Sequence, residues 1–266
     1  MRLTKHHGLG NDFLVLLDLD GTQPVSPEVA VALCDRRTGL GADGLLRVTA
    51  GSAEADVTMQ LLNADGSPAE MSGNGIRCLA QAVFQAGIVE LSLLRVVTAA
   101  GLRTVTLVAQ DGPNQHRMSV EMGPAKVVGT RDYAVDGHLE TATRVDVGNP
   151  HAVIRWDGPD LPGRDQLIAI GSRLDGSAPE GINVEIVQAG PGPDALTMVV
   201  YERGVGPTQA CGTGACAVAA AAHEWGIVGE RSIVHMPGGA VEITLGDPVL
   251  LIGDTTSVAI IDTPWP

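Results

Sequence analysis

Two stretches of this chain, "SGNGIRCLAQAVFQAG" (Ser72–Gly87) and "CGTGACAVAAAAHEWG" (Cys211–Gly226), follow the same pattern. Each reads x-G-x-G, continues as an apolar run of small residues, and closes on a glycine. Glycines let the chain turn tightly into a helix, and a glycine after the last apolar residue is a common helix end. The sequence therefore predicts the same turn-and-helix element twice, once beginning with serine and once with cysteine.

Other segments repeat in the same order, which indicates an internal duplication. Cys211 lies 139 positions after Ser72, and two further pairs of segments match near that spacing. One pair also aligns Asn11 with Asn149. The paired segments are "GLGNDFLVL" (8–16) with "DVGNPHAVI" (146–154) and "TAAGLRTVTL" (98–107) with "MPGGAVEITL" (236–245).

The duplication predicts an α+β fold of two pseudo-symmetric lobes. Stretches rich in β-branched residues between Gly, Asp and Pro predict strands, and shorter helices are expected at 26–37 and 163–174. We expect each lobe to be a curved, mainly antiparallel sheet around a central helix, with the active site in the cleft between the lobes. The expected boundaries are an N-terminal lobe over 1–125, onto which a tail of about 256–266 packs back, a connecting region over 126–138, and a C-terminal lobe over 139–255.

Composition excludes several classes of partner. The net charge of −14 provides no basic surplus for nucleic acid or an anionic membrane. The sequence shows no secretory signal and no membrane-spanning apolar run, so a cytoplasmic protein is expected. The four cysteines lack zinc-site spacing and are too few for a disulfide scaffold, which leaves free thiols and no metal.

The glycine turns themselves suggest chemistry. The first N–H groups of a helix have no partner within the helix, so Gly73 and Asn74 in one lobe and Gly212 and Thr213 in the other predict two anion sites. A thiol beside such a helix end is expected to have a lowered pKa. If both ends reach one substrate, Ser72 and Cys211 stand on opposite faces of a carbon, as inversion of a stereocentre requires. No lysine motif suggests pyridoxal phosphate, so a cofactor-free racemase or epimerase is predicted.

At this point the chain resembles the diaminopimelate epimerase family over nearly its whole length. The resemblance is carried by "GLGNDF", "DRRTGLGADGLL", "NADGSPAEMSGNGIRC", "VDVGNPHAV", "EGINVEIV" and "YERGVGPTQACGTGACA". It implies a cytoplasmic isomerase that interconverts LL- and meso-2,6-diaminopimelate in lysine and peptidoglycan-precursor synthesis. It also implies two pseudo-symmetric lobes, a homodimer, no cofactor and two catalytic cysteines.

Carried onto this sequence, the resemblance places the second catalytic thiol at Cys211 and the first at Ser72. His151 is expected near Ser72 and Glu202 near Cys211, each holding or relaying protons. Cys78 and Cys216 are expected to be buried packing residues of the helices. The implied substrate contacts are Asn11, Asn63, Gly73, Asn74, Asn149, Asn183, Arg203, Gly212 and Thr213, with Arg203 gripping the distal carboxylate.

Ser72 leaves three interpretations open, because an alkoxide does not persist near neutral pH. The serine is an engineered change that traps substrate, or it is native and the enzyme still inverts with help from His151 or water. Alternatively the chain has left epimerase chemistry and works through Cys211 alone. The last interpretation includes a one-base amino-acid lyase or dehydratase, a racemase of another amino acid, and a catalytically silent amino-acid-binding protein.

Overall fold

The computed structural model describes residues 1–89, 92–135 and 138–264 of the 266-residue chain. It divides into two compact units. The first unit comprises residues 1–121 together with residues from 252 to the end of the described chain, and the second unit comprises residues 122–251. Within the described residues, no helix is long and apolar enough to cross a membrane.

The first unit consists mainly of strands. Its elements are β1 (Arg2–Gly8), β2 (Asn11–Leu17), α1 (Pro27–Cys34), β3 (Gly44–Ser52), β4 (Ala55–Asn63), β5 (Pro68–Ala69), α2 (Gly73–Gln85), β6 (Leu93–Thr98), β7 (Gly101–Gln110) and β8 (Gln115–Gly123).

The second unit has the same order of elements after one additional strand. They are β9 (Lys126–Val135), β10 (His138–Asp146), β11 (Pro150–Arg155), α3 (Arg164–Ser177), β12 (Asn183–Ala189), β13 (Ala195–Glu202), β14 (Gly206–Thr208), α4 (Gly212–Glu224), β15 (Arg231–Met236), β16 (Gly239–Thr244) and β17 (Val249–Asp262). The part of β17 from Ile252 onward counts with the first unit, where it pairs antiparallel with β1.

Strand pairing confirms the predicted repeat. In the first unit β1–β2 is antiparallel, β2–β3 parallel, β3–β4 antiparallel and β4–β6 parallel. In the second unit the equivalent pairs β10–β11, β11–β12, β12–β13 and β13–β15 follow the same sequence of directions. Each unit therefore combines parallel and antiparallel pairs and is not a simple antiparallel meander. The two strands of each parallel pair are connected by a crossover that contains a helix.

The helices α2 and α4 are the buried centres of their units. Nearly every residue from Gly73 to Val83 is buried, and the same holds from Gly212 to Ala222 except for half-buried Thr213. A helix buried all round needs an apolar or internally bonded surface, which the alanine run of α4 provides. Both helices begin at the glycine turns, three residues earlier than their apolar runs.

One predicted feature of the chain has a different structure. The stretch 126–138 is polar and weakly patterned, and we expected it to connect the lobes. Residues 126–135 instead form strand β9, which pairs antiparallel with β10 from Lys126↔Asp146 to Val135↔His138. Positions 136 and 137 lie outside the described residues. Tyr133 is buried between exposed Asp132 and Ala134, and the pairing partner supplies the order that the local pattern lacks.

Helix α3 offers a matched test of packing in the second unit. A Cβ at Gly171 would lie 2.3 Å from Cγ of Tyr201, whereas a Cβ at Gly176 on the same helix would meet nothing within 4 Å. We expect Gly171→Ala to lower the free energy of unfolding by about 1–3 kcal/mol through overpacking. Gly176→Ala is expected to be neutral or to stabilise by up to about 1 kcal/mol through helix propensity. Urea unfolding of both variants measures this, and equal effects would contradict the packing.

Candidate active site

In the first unit, Ser72 forms the N-cap of α2. Its Oγ accepts a hydrogen bond from Gly75 N–H at 3.0 Å, and the helical ladder begins with Ile76 N–H donating to Ser72 O at 2.8 Å. A Cβ at Gly75 would lie 3.1 Å from Ser72 Cβ, so the serine fits closely over the turn. The N–H groups of Gly73 and Asn74 precede the ladder, at the positive end of the helix.

A buried arginine, which the sequence analysis missed, holds this turn in place. Arg77 is fully buried and donates from Nη1 to Gly73 O at 2.9 Å and from Nη2 to Asn74 Oδ1 at 2.6 Å. Asn74 Nδ2 in turn donates to Asn11 Oδ1 at 3.2 Å. The structure thus brings together Ser72, Gly73, Asn74 and Asn11, all of which were predicted site residues. Arg77 was not predicted, although a cationic residue within a buried helix was a signal for it.

Asn63 lies at the end of β4, where it pairs with Gly44. Its Nδ2 donates to Ser67 Oγ at 3.0 Å in the following turn. The side chain is half-buried and is fixed by its own loop. A contact of Asn63 with substrate stays a prediction.

In the second unit, Cys211 occupies the equivalent N-cap of α4. Its Sγ accepts from Gly214 N–H at 3.4 Å and lies 3.5 Å from Thr213 Oγ1. Asn149 Nδ2 donates to Thr213 Oγ1 at 3.5 Å. The equivalent residues of the first unit, Asn11 and Asn74, are also hydrogen-bonded to each other. Gly212 and Thr213 present N–H groups before the ladder, which starts with Ala215 N–H on Cys211 O.

The surroundings of Cys211 raise the pKa of its thiol, contrary to the lowering expected from the helix end. Burial raises the pKa of the Cys211 thiol well above its ordinary value, and the charges of Glu202 and Glu185 raise it further. The hydrogen bonds from Thr213 and Gly214 act in the opposite direction but are the smaller effects. The helix end therefore does not by itself produce a thiolate, and a proton acceptor is needed beside the thiol.

The carboxyl of Glu202 is one of the two acidic groups that act on the Cys211 thiol. Burial raises the pKa of the Glu202 carboxyl above its ordinary value, and hydrogen bonds with Thr208 and Cys211 oppose the shift. Thr208 Oγ1 donates to Glu202 Oε1, which orients the carboxylate. Its raised pKa makes the Glu202 carboxylate a stronger proton acceptor than an exposed carboxylate would be.

His151 hydrogen-bonds two groups within its own unit. Its Nδ1 lies 2.7 Å from Glu185 Oε1 and its Nε2 lies 3.0 Å from Asn149 Oδ1. His151 and Glu185 are both fully buried. Glu185 was not among the predicted site residues, because a single carboxylate between Val184 and Ile186 carries no motif of its own. The expected closeness of His151 to Ser72 stays a prediction.

Asn183 and Arg203 lie next to each other. Asn183 Oδ1 accepts from the backbone N–H of Arg203 at 3.0 Å, and its Nδ2 donates to Pro150 O at 3.2 Å. The Arg203 side chain is exposed, and its Nη1 donates to Glu180 O at 3.2 Å. An exposed guanidinium fixed at one nitrogen suits a carboxylate that arrives from solvent.

The remaining cysteines have no part in this arrangement. Cys78 and Cys216 are fully buried on α2 and α4, as expected, and Cys34 is buried in the core around α1. Across the described ranges, no group of three or more His, Cys, Asp or Glu residues is arranged to hold a metal ion.

Comparison with known proteins gives a family match over both units. A family model described as "Diaminopimelate epimerase" matches residues 3–128 and 143–257. The chain is 38% identical over 262 residues to the diaminopimelate epimerase of Synechococcus elongatus, covering 91% of this chain and 90% of that protein. It is 41% identical over 264 residues to the enzyme of the same name from Mycolicibacterium gilvum, covering 92% and 90%.

Solved structures agree on the fold. A hydroxyproline epimerase from Agrobacterium vitis superposes with a TM-score of 0.78 at 17% identity, covering 99% of this chain and 93% of that one. A phenazine biosynthesis protein of the PhzF family from Bacillus anthracis gives a TM-score of 0.69 at 14% identity, with 99% and 98% covered. At such low identities the likeness shows the architecture alone.

Proposed function

The chain belongs to the diaminopimelate epimerase family, and from this premise we propose that it interconverts LL- and meso-2,6-diaminopimelate by moving the proton on one α-carbon. The observation that carries the chemistry is the Cys211 thiol at the N-terminus of α4, whose Sγ accepts from Gly214 N–H, with the Glu202 carboxyl close enough to raise its pKa. Cys211 carries the proton, Glu202 at the end of β13 accepts it, and the N–H groups of the α4 turn bind a carboxylate.

The proposed half-reaction begins with the Cys211 thiol. Glu202 accepts the thiol proton, and the resulting thiolate removes the α-proton of the substrate, leaving a carbanion whose charge spreads onto its carboxylate. The N–H groups of Gly212 and Thr213 stabilise that charge at the positive helix end. Return of the proton by Cys211 restores the same isomer, whereas delivery of a proton to the other face inverts it.

Ser72 is the proposed group for the other face, and it is chemically weak. A serine hydroxyl loses its proton far less readily than a thiol, so it needs a partner to carry charge. We propose that Ser72 passes a proton through His151 or water, with Gly73 and Asn74 as the second pair of carboxylate-binding N–H donors. Asn11, Asn63, Asn149, Asn183 and Arg203 are the proposed contacts to the rest of the substrate. A homodimer in the cytoplasm, without cofactor, completes the proposal.

Incubation of the reduced protein with LL-diaminopimelate tests the function. We expect the meso isomer to accumulate toward equilibrium, measured by separation of the stereoisomers. If neither the protein nor its Ser72→Cys variant forms any meso isomer from LL, the proposed substrate is wrong.

Ser72 specifically favours a second candidate function, which is one-base chemistry at Cys211. In that case a single thiol removes the α-proton and the carbanion expels a β-substituent, as in a lyase or dehydratase of a β-substituted amino acid. Release of a keto acid from such a substrate, without inversion of diaminopimelate, would identify this reaction.

Glu202→Gln tests the proton acceptor beside Cys211. The acceptor works only when ionised, so activity of the unchanged protein should fall as the pH drops through the Glu202 pKa, which lies above the ordinary value of 4.5. The variant is expected to lose about 10- to 100-fold in kcat, because only solvent then takes the thiol proton. It should also lose that acid limb. Exposed Glu230→Gln is the control, and an unchanged pH profile in Glu202→Gln would contradict the role.

A further inference from the structure

Glu185 is a buried carboxylate that has no role in the proposed reaction. It lies on β12, fully buried, and its Oε1 is 2.7 Å from Nδ1 of the equally buried His151. Among the described residues, Oε2 has no hydrogen-bond partner. A buried charge held by one bond is costly, and apolar residues of similar volume usually stabilise a core as well or better.

The first unit shows that packing does not require this pair. Phe13 pairs with the first residue of β3 as His151 pairs with the first residue of β12, so these two residues are equivalent. By the same registers, Leu46 is the counterpart of Glu185. One repeat of the fold is thus built with an apolar pair at the positions where the other has a histidine and a carboxylate.

Hydrogen bonds lead from Glu185 to the thiol. His151 Nε2 lies 3.0 Å from Asn149 Oδ1, Asn149 Nδ2 donates to Thr213 Oγ1 at 3.5 Å, and Thr213 Oγ1 lies 3.5 Å from Cys211 Sγ. With Asn149 donating through its amide nitrogen, its oxygen must accept from His151 Nε2–H. An ionised Glu185 can only accept, and its Oε1 faces His151 Nδ1 at 2.7 Å, which makes Nδ1 the second donor of the ring.

The carboxylate also lies directly under the turn that carries the thiol. A Cβ at Gly214 would be 2.7 Å from Glu185 Oε1 and 3.3 Å from Cys211 Sγ. Glycine is therefore needed at 214 for the carboxylate and the helix backbone to approach each other.

We propose that Glu185 is a positioning residue, which keeps His151 donating from both ring nitrogens and thereby orients Asn149 and Thr213 at Cys211. Its effect on the reaction rests on the proposed function, whereas the protonation of His151 does not. Glu185 touches no substrate and acts through the histidine.

Nitrogen-15 NMR of the histidine rings tests the protonation directly, on protein without substrate. The His151 signals are identified by their absence from a His151→Phe/Glu185→Leu double variant, which copies the Phe13 and Leu46 of the first unit. At neutral pH we expect both His151 nitrogens to be protonated in the unchanged protein and only one in Glu185→Gln. A bare ring nitrogen in the unchanged protein would overturn the proposal, whether or not the protein is an active epimerase.

Kinetics separate positioning from packing. Glu185→Gln is expected to lower kcat about 10- to 100-fold, the usual effect of losing a charged hydrogen bond, with KM little changed. Glu224→Gln, exposed on α4, is the matched control and should be unchanged. The double variant should unfold no more easily than the unchanged protein and yet be inactive. Retained activity in the double variant would mean that the pair serves packing alone.

Discussion

Replacing Cys211 with serine is expected to remove both inversion and α-proton exchange, lowering kcat by about 10²–10⁴-fold, the usual contribution of a positioned acid–base group. The reason is the acidity of the thiol, because serine in the same place cannot pass its proton to Glu202. The fold should survive, since serine is a good N-cap and Ser72 already caps α2 in the same geometry. Stopped assays of both isomers in D2O measure the loss.

Cys216→Ala on the same helix is the control for Cys211→Ser. Cys216 is fully buried and lies outside the N-terminal turn, so its removal should change stability slightly and leave kcat unchanged. If Cys211→Ser kept substantial exchange with either isomer, the α-proton would be removed by another group, and the assignment of the second unit as the acid–base side would be wrong.

Replacing Ser72 with cysteine is expected to increase the rate of inversion by about 100-fold or more, because a thiol can carry the proton that a hydroxyl cannot. The change should leave α2 in place, since Cys211 shows that a cysteine caps the equivalent helix by accepting from the third N–H. Initial rates of meso formation from LL-diaminopimelate measure the gain.

Ser26→Cys is a matched control for Ser72→Cys. Ser26 also caps a helix of the first unit, α1, with its Oγ accepting from Val29 N–H, and it is exposed. It should gain no activity. A Ser72→Cys variant that inverts no faster than the unchanged protein would show that position 72 does not serve the second face.

The repeat could be predicted from the sequence because each copy carries its own glycine turn and apolar run, which are local patterns. The structure has matching strand directions in the two units, and both helices start at their glycine turns. The strand at 126–135 was not predicted, since its order comes from pairing with β10 and not from its own pattern.

The site was predicted less completely, because its electrostatics depend on burial. The helix end suggested a lowered thiol pKa for Cys211, but burial and two carboxylates raise it. Neither Arg77 nor Glu185 was singled out, since each stands in an otherwise apolar element and is explained only by what it meets in three dimensions. A charged residue inside a buried run is the signal to look for in such chains.

The two units also differ in chemical character at equivalent positions. The second unit places Cys211 and Glu202 where the first has Ser72 and Asn63. The repeat has thus kept its architecture while the acid–base groups are concentrated in one copy, which predicts that one face of the substrate is served far better than the other.

Exchange of α-protons in D2O tests that claim most directly. The reduced protein is incubated separately with LL- and meso-diaminopimelate, and deuterium uptake and isomer composition are followed by NMR. We expect fast exchange of the isomer whose α-proton faces Cys211, with inversion slower than exchange. Equal rates of exchange for both isomers, matched by inversion, would show that Ser72 works as well as the thiol and that the two faces are not served unequally.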